Sequence, residues 1–150
     1  MAKTLFTIII CLFCLTLYGQ EGTKIIKFRS IGPSDKPFPT LLISIREIEK
    51  DSFHLEMPLS YTLGVETPTF LFIEQFIKTH KKIEERFFKS DLGSYLISVD
   101  TQEYTFLRRK EALTYFKKIK NSLENSKKLS KEDVKNLSEA IDAIIIRIDW

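Results

Sequence analysis

The sequence predicts an α+β fold, a mainly antiparallel sheet of about five strands covered on one face by about three helices. Three observations carry that expectation. Short runs in which apolar and polar residues alternate occur between residues 24 and 57 and again between 95 and 107. Longer segments starting near 67, 109 and 131 repeat their apolar residues every three or four positions. The two strand groups interleave with the amphipathic segments, with no internal repeat, low-complexity tract or long linker between them.

Lys24 to Arg29 is short and rich in β-branched residues, and Gly32-Pro33-Ser34-Asp35 supplies turn chemistry, so a strand is followed by a loop to Pro39. Thr40 to Ile48 places Leu41, Ile43 and Ile45 on one face. After the polar Glu49-Lys50-Asp51-Ser52, Phe53, Leu55 and Met57 alternate with His54 and Glu56, which completes a β-hairpin. Pro58 ends the strand. A loop through Gly64 leads to Thr67-Pro68, a hydroxyl cap followed by proline at the first helical position. Phe70, Ile73, Ile77, Ile83 and Phe87 share one helical face, and Asp91-Leu92-Gly93 supplies a stop. Tyr95 to Val99 and Tyr104 to Leu107 form a second hairpin around Asp100-Thr101-Gln102-Glu103. From Arg109 the period changes, with Leu113, Phe116, Ile119 and Leu123 making an apolar stripe. Ser130-Lys131-Glu132-Asp133 then resembles a capping box, ahead of Val134, Leu137, Ile141, Ile144, Ile145 and Ile148 at helical spacing.

Ahead of this domain, Lys3 precedes an uncharged run from Leu5 to Leu17 that ends at Tyr18-Gly19-Gln20-Glu21. A spanning helix needs roughly 20 apolar residues. The shorter run reads instead as the apolar region of a cleavable signal peptide over residues 1–19, with a cut after Gly19 or Gln20, leaving 20–150 as a single small α+β domain. Neither Cys11 nor Cys14 follows a small residue, as a lipidated cysteine would. Both cysteines lie in this segment, so the chain beyond it offers no disulfide, thiolate nucleophile, cysteine-ligated zinc or iron–sulfur centre. Removing Lys3 from the 23 basic residues leaves 22 against 20 acidic ones, a formal charge near +2.

Candidate chemistry is sparse. His54 and Glu56, two apart on a strand, project from one face and could share a proton as a general acid/base pair, although half-buried strands ordinarily carry such residues on their solvated face. His80 and Glu84, four apart, have the spacing of two helical metal ligands but lack further ligands nearby in sequence. Asp91, Asp100 and Glu103 are turn carboxylates of the kind that hydrogen-bond the backbone. No nucleophile elbow, P-loop or dinucleotide fingerprint occurs, and no cofactor is expected.

The most distinctive feature is basic. Arg108, Arg109, Lys110, Lys117, Lys118 and Lys120 open a stretch that continues through Lys127, Lys128 and Lys131 with only Glu111 and Glu124 against it, and Tyr115 and Phe116 lie among the lysines. Such a helix is either a solvated outer face or a surface for an anionic partner. Export argues against nucleic acid. The expectation is therefore an exported, periplasmic or secreted, non-catalytic protein that binds another protein or an anionic envelope component, without a stable membrane span. Alternatives are a small cofactor-independent hydrolase acting on envelope material, with His54, Glu56 or a turn carboxylate as acid/base, or a periplasmic immunity or inhibitor protein.

Overall fold

The computed structural model describes residues 23–31, 40–58, 62–82 and 94–149. The segment expected to be a signal peptide lies outside them, as do Ile83, Glu84, Phe87 and Asp91. Among the described residues six strands form one sheet: β1 (Ile25–Ile31), β2 (Thr40–Glu49), β3 (Ser52–Glu56), β4 (Leu63–Val65), β5 (Ser94–Val99) and β6 (Gln102–Arg108). The helices are α1 (Thr67–Thr79), α2 (Arg109–Glu124) and α3 (Lys131–Asp149). The sheet order is β4-β3-β2-β1-β5-β6 and every neighbouring pair is antiparallel. The expected α+β class and one-sided helical cover hold. The sheet gains β4, which the sequence reading leaves in a loop because Leu63-Gly64-Val65 is too short to show alternation. Its register, Phe53 opposite Val65 and Leu55 opposite Leu63, comes from β3 rather than from its own pattern.

Period-two alternation sorts the strands into two faces. Ile26, Phe28, Ile45, Phe53, Leu55, Ile97 and Leu107 turn to the helices and are essentially excluded from water. The aromatic rings register the layers. Phe53 of β3 stacks on Phe70 of α1 at 4.1 Å between centroids, and Phe28 of β1 meets Phe116 of α2 at 5.7 Å. Burying a side chain of this size contributes roughly 1.5–3 kcal/mol, so these contacts dominate the energetics of the layer interface. A register shift between Phe28 and Arg29 pairs Leu41 with Arg29 and ends the Ile43–Ile45 row there.

Local chemistry fixes the turns and helix ends. Asp51 and Asp100 adopt positive φ (59° and 54°) in the two hairpin turns, a conformation that aspartate tolerates better than most residues. Asp100 also ties its turn to the start of β1, its Oδ1 accepting the Ile25 N–H at 2.9 Å. At α1 the expected hydroxyl cap is corrected. Glu66 is the N-cap residue, and the Thr67 hydroxyl donates instead to the Asp51 carbonyl at 3.0 Å, holding the helix to the β2–β3 turn. α1 also ends earlier than its apolar period implies. The chain turns at His80 so that the Lys82 N–H can donate to the Tyr104 carbonyl of β6 at 3.2 Å. In α3 the capping expectation holds: Ser130 Oγ accepts the Asp133 N–H at 3.2 Å. The buried Asp133 carboxylate in turn accepts the Glu66 N–H at 2.9 Å, joining the first turns of α1 and α3.

α2 and α3 pack antiparallel over the sheet. Ala112, Tyr115, Phe116, Ile119 and Leu123 of α2 and Leu137, Ile141, Ile144 and Ile148 of α3 are buried, while Val134 and Ile145 sit half-buried at the margin. Among the described residues no helix is long and apolar enough to cross a membrane.

Candidate functional site

Each residue of an α-helix is turned about 100° from the last, so burying positions 112, 115, 116, 119 and 123 of α2 determines where its basic residues point. Arg109 and Lys120 fall toward α3 and are engaged there. The Arg109 Nε donates to the Ile148 carbonyl at 2.5 Å, satisfying one of the carbonyls left over at the end of α3. Lys120 Nζ reaches both carboxylate oxygens of Asp142, at 2.7 and 2.6 Å, and lies 3.7 Å from Glu124. The hydrogen bond that Lys120 donates to Asp142 raises its pKa above the ordinary value. These two residues join one helix to the next.

Lys110, Lys117 and Lys118 point outward and are exposed. Neither acid of α2 competes for them, since Glu111 pairs with Lys82 and accepts the Arg108 N–H, and Glu124 pairs with Lys120. The Lys82 ammonium, followed by the Arg108 N–H, holds the Glu111 pKa below the usual carboxylate value. Arg108 is the exposed N-cap residue of the helix. Lys117 and Lys118, with Thr114, Asn121, Ser122 and Asn125, line a shallow depression of about 560 Å³. Three of its polar side chains donate to carbonyls of their own helix: Thr114 to Lys110, Ser122 to Lys118 and Asn125 to Asn121. The lysine ammonium groups are left as its strongest outward donors. Lys127 and Lys128, in the turn after α2, are exposed as well. Tyr115 and Phe116, which the sequence sets among these lysines, belong to the core at 8% and 0% exposure.

The opposite face of the sheet carries the other candidates. His54 and Glu56 project from the same face of β3, as alternation requires, but the structure gives Glu56 different partners. Its carboxylate accepts the Ser44 hydroxyl at 3.0 Å and lies 3.7 Å from the Arg46 guanidinium, while His54 is opposite Arg46 and Gly64 in the register. Across β1 a similar arrangement repeats, with Arg29 donating to Ser98 at 3.3 Å and pairing with Glu103 at 3.7 Å. Glu103 and Asp100 thus serve the fold separately. His80 closes α1, its Nδ1 2.9 Å from the Phe76 carbonyl and its ring stacked on Phe76 at 4.1 Å. Its proposed companion Glu84 lies outside the described residues. Among the described residues no three His, Asp or Glu side chains converge as metal ligands would.

Sequence reasoning located the basic helix but could not divide it. The Lys120–Glu124 spacing is legible as an i,i+4 pair, whereas Lys120–Asp142 and Arg109–Ile148 depend on how α3 docks. It also missed a buried pair of hydroxyls, Thr105 and Tyr115, neither of which reaches hydrogen-bond geometry with a partner among the described residues.

Fold and surface together define a two-layer α+β protein in which α2 presents Lys110, Lys117 and Lys118 without an ion pair among the described residues. Compared with known proteins, the chain matches no family, no curated protein and no solved structure.

Proposed function

We propose that this is an exported, non-catalytic binding protein of the cell envelope or secreted fraction, and that it engages an anionic partner through the outward face of α2. The observation that carries this reading is the division of the basic residues. Arg109 and Lys120 bind within the fold, while Lys110, Lys117 and Lys118 stand in water with no acid partner among the described residues. Export rests on the apolar run of residues 5–17 behind Lys3. The histidines have a lesser place in this reading, because Glu56 is turned to Ser44 and Arg46, and the His80 Nδ1 to a backbone carbonyl.

Charge of this origin is screened beyond about 8 Å at physiological ionic strength, so binding falls as salt rises. The test compares retention of the wild type, a Lys117→Glu/Lys118→Glu variant and a His54→Ala/His80→Ala variant on the cell-envelope fraction at two salt concentrations, after circular dichroism shows all three folded. Lys120 is left unchanged because reversing it would place a third acid beside Asp142 and Glu124. Charge reversal removes the salt-sensitive component and histidine removal leaves it intact. Equal retention of all three proteins defeats the proposal.

A further inference from the structure

We infer that the anionic partner is a layer of acidic phospholipid headgroups, with α2 lying along its surface; this rests on the binding role proposed for that helix. Three features of the face select a lipid surface over a protein or a single polymer chain.

The first is the kind of cation. Lys110, Lys117, Lys118, Lys127 and Lys128 are all exposed and none forms an ion pair among the described residues. Lysine presents a compact ammonium on a flexible stem and suits a diffuse field of anions, whereas planar, bidentate capture of a particular carboxylate calls for arginine. Arg109, the arginine within α2, is bound to α3.

The second is the lack of an anchor on the face. Protein interfaces draw most of their energy from a few buried aromatic or arginine side chains. Tyr115 and Phe116, the aromatic residues of α2, point into the core, and the depression beside Lys117 and Lys118 is lined by threonine, serine and asparagine. The attraction is left almost wholly electrostatic.

The third is breadth. Lys117 and Lys118 diverge by about 100° and so straddle the crest of the helix, while Lys110 lies about 10 Å back along the axis. Lys127 and Lys128 extend the array past the end of α2 at Glu124. A plane of headgroups can meet all of them together, but one extended anionic chain following the axis would leave one side unmatched. The other side of the molecule differs: on the outer sheet face Arg29 and Arg46 are paired with Glu103 and Glu56.

Each lysine near an acidic membrane contributes about 1 kcal/mol, a factor of about five in partitioning. The test is co-sedimentation of the purified full-chain protein with vesicles of phosphatidylcholine alone or with about one-third phosphatidylglycerol, at about 0.05 M and about 0.5 M salt. Phosphatidylcholine vesicles also report any adhesion by the apolar N-terminal run. The inference expects at least about tenfold stronger partitioning to the acidic vesicles at low salt, lost at high salt and in Lys117→Glu/Lys118→Glu. A Lys24→Glu/Lys27→Glu variant, with the same change in net charge at β1, retains it. Equal binding to both vesicle types, or equal loss in both variants, overturns the inference. If Lys117→Glu/Lys118→Glu loses envelope retention while the wild type ignores acidic vesicles, the lipid assignment falls and the binding role stands. If that variant loses neither, both fall.

Discussion

Tyr115 combines an apolar location with a hydroxyl that finds no hydrogen-bond partner among the described residues. Burial pushes its phenol up to about 12, and the Thr105 hydroxyl opposes that shift without reaching hydrogen-bond geometry. The fold favours the neutral phenol. Stability that depends on this preference is therefore complete below the ordinary tyrosine pKa of 10.0 and is lost as pH rises from there toward 12. Burial also raises the Tyr95 phenol, and ultraviolet titration of the folded protein should show late ionisation of which the Tyr115 part is missing from Tyr115→Phe. An unpaired buried hydroxyl adds little or costs stability, so the same variant should unfold at equal or higher denaturant concentration, by up to about 1 kcal/mol. A loss of more than that would mean that the hydroxyl has a partner in solution. At the acid end the sign reverses. Glu111 is held below 4.5 mainly by Lys82, so the stability tied to that preference is present above pH 4.5 and fades as pH falls further.

At the scale of elements, α3 illustrates the difference between a helix that can form and one that must. Its Ser130 cap and acidic first turn favour helix by themselves, but most helical stability in a protein comes from packing an amphipathic face, here the burial of Leu137, Ile141, Ile144 and Ile148. Ile144 is 3% exposed, and Ile144→Ala should cost about 2–5 kcal/mol in chemical denaturation. A change within about 0.5 kcal/mol would place α3 on the surface rather than in the core. α1 shows where a periodic pattern stops being sufficient. The apolar spacing of α1 runs on to Phe87, yet the helix ends at Thr79 because the backbone at Lys82 finds a partner in β6.

For the whole molecule, the asymmetry of its two layers matters more than the formal charge of +3. The outer sheet face sets two arginines against two glutamates, while α2 leaves Lys110, Lys117 and Lys118 without an ion pair among the described residues. An orientation on a charged surface follows from that asymmetry and not from net charge. The proposed export carries a separate expectation: intact mass of the protein recovered from its host should lack residues 1–19 or 1–20. Recovery of the uncut chain in the membrane pellet would make the apolar run an anchor instead.

The class of the fold was legible because periods of two and of three to four are local properties of the chain, visible in Phe53-His54-Leu55-Glu56 and in Leu137, Ile141, Ile144 and Ile148. So were the Ser130 cap and the polar turns at Asp51 and Asp100, whose chemistry acts over a few residues. Tertiary structure alone decided which charges remain available. Arg109 reaches Ile148 across 39 positions, Lys120 reaches Asp142 across 22, and Asp133 reaches Glu66 across 67. β4 likewise exists because β3 offers it an edge. Such pairings depend on how preformed elements dock, and a side chain's distant partner leaves no periodic trace in the sequence around it.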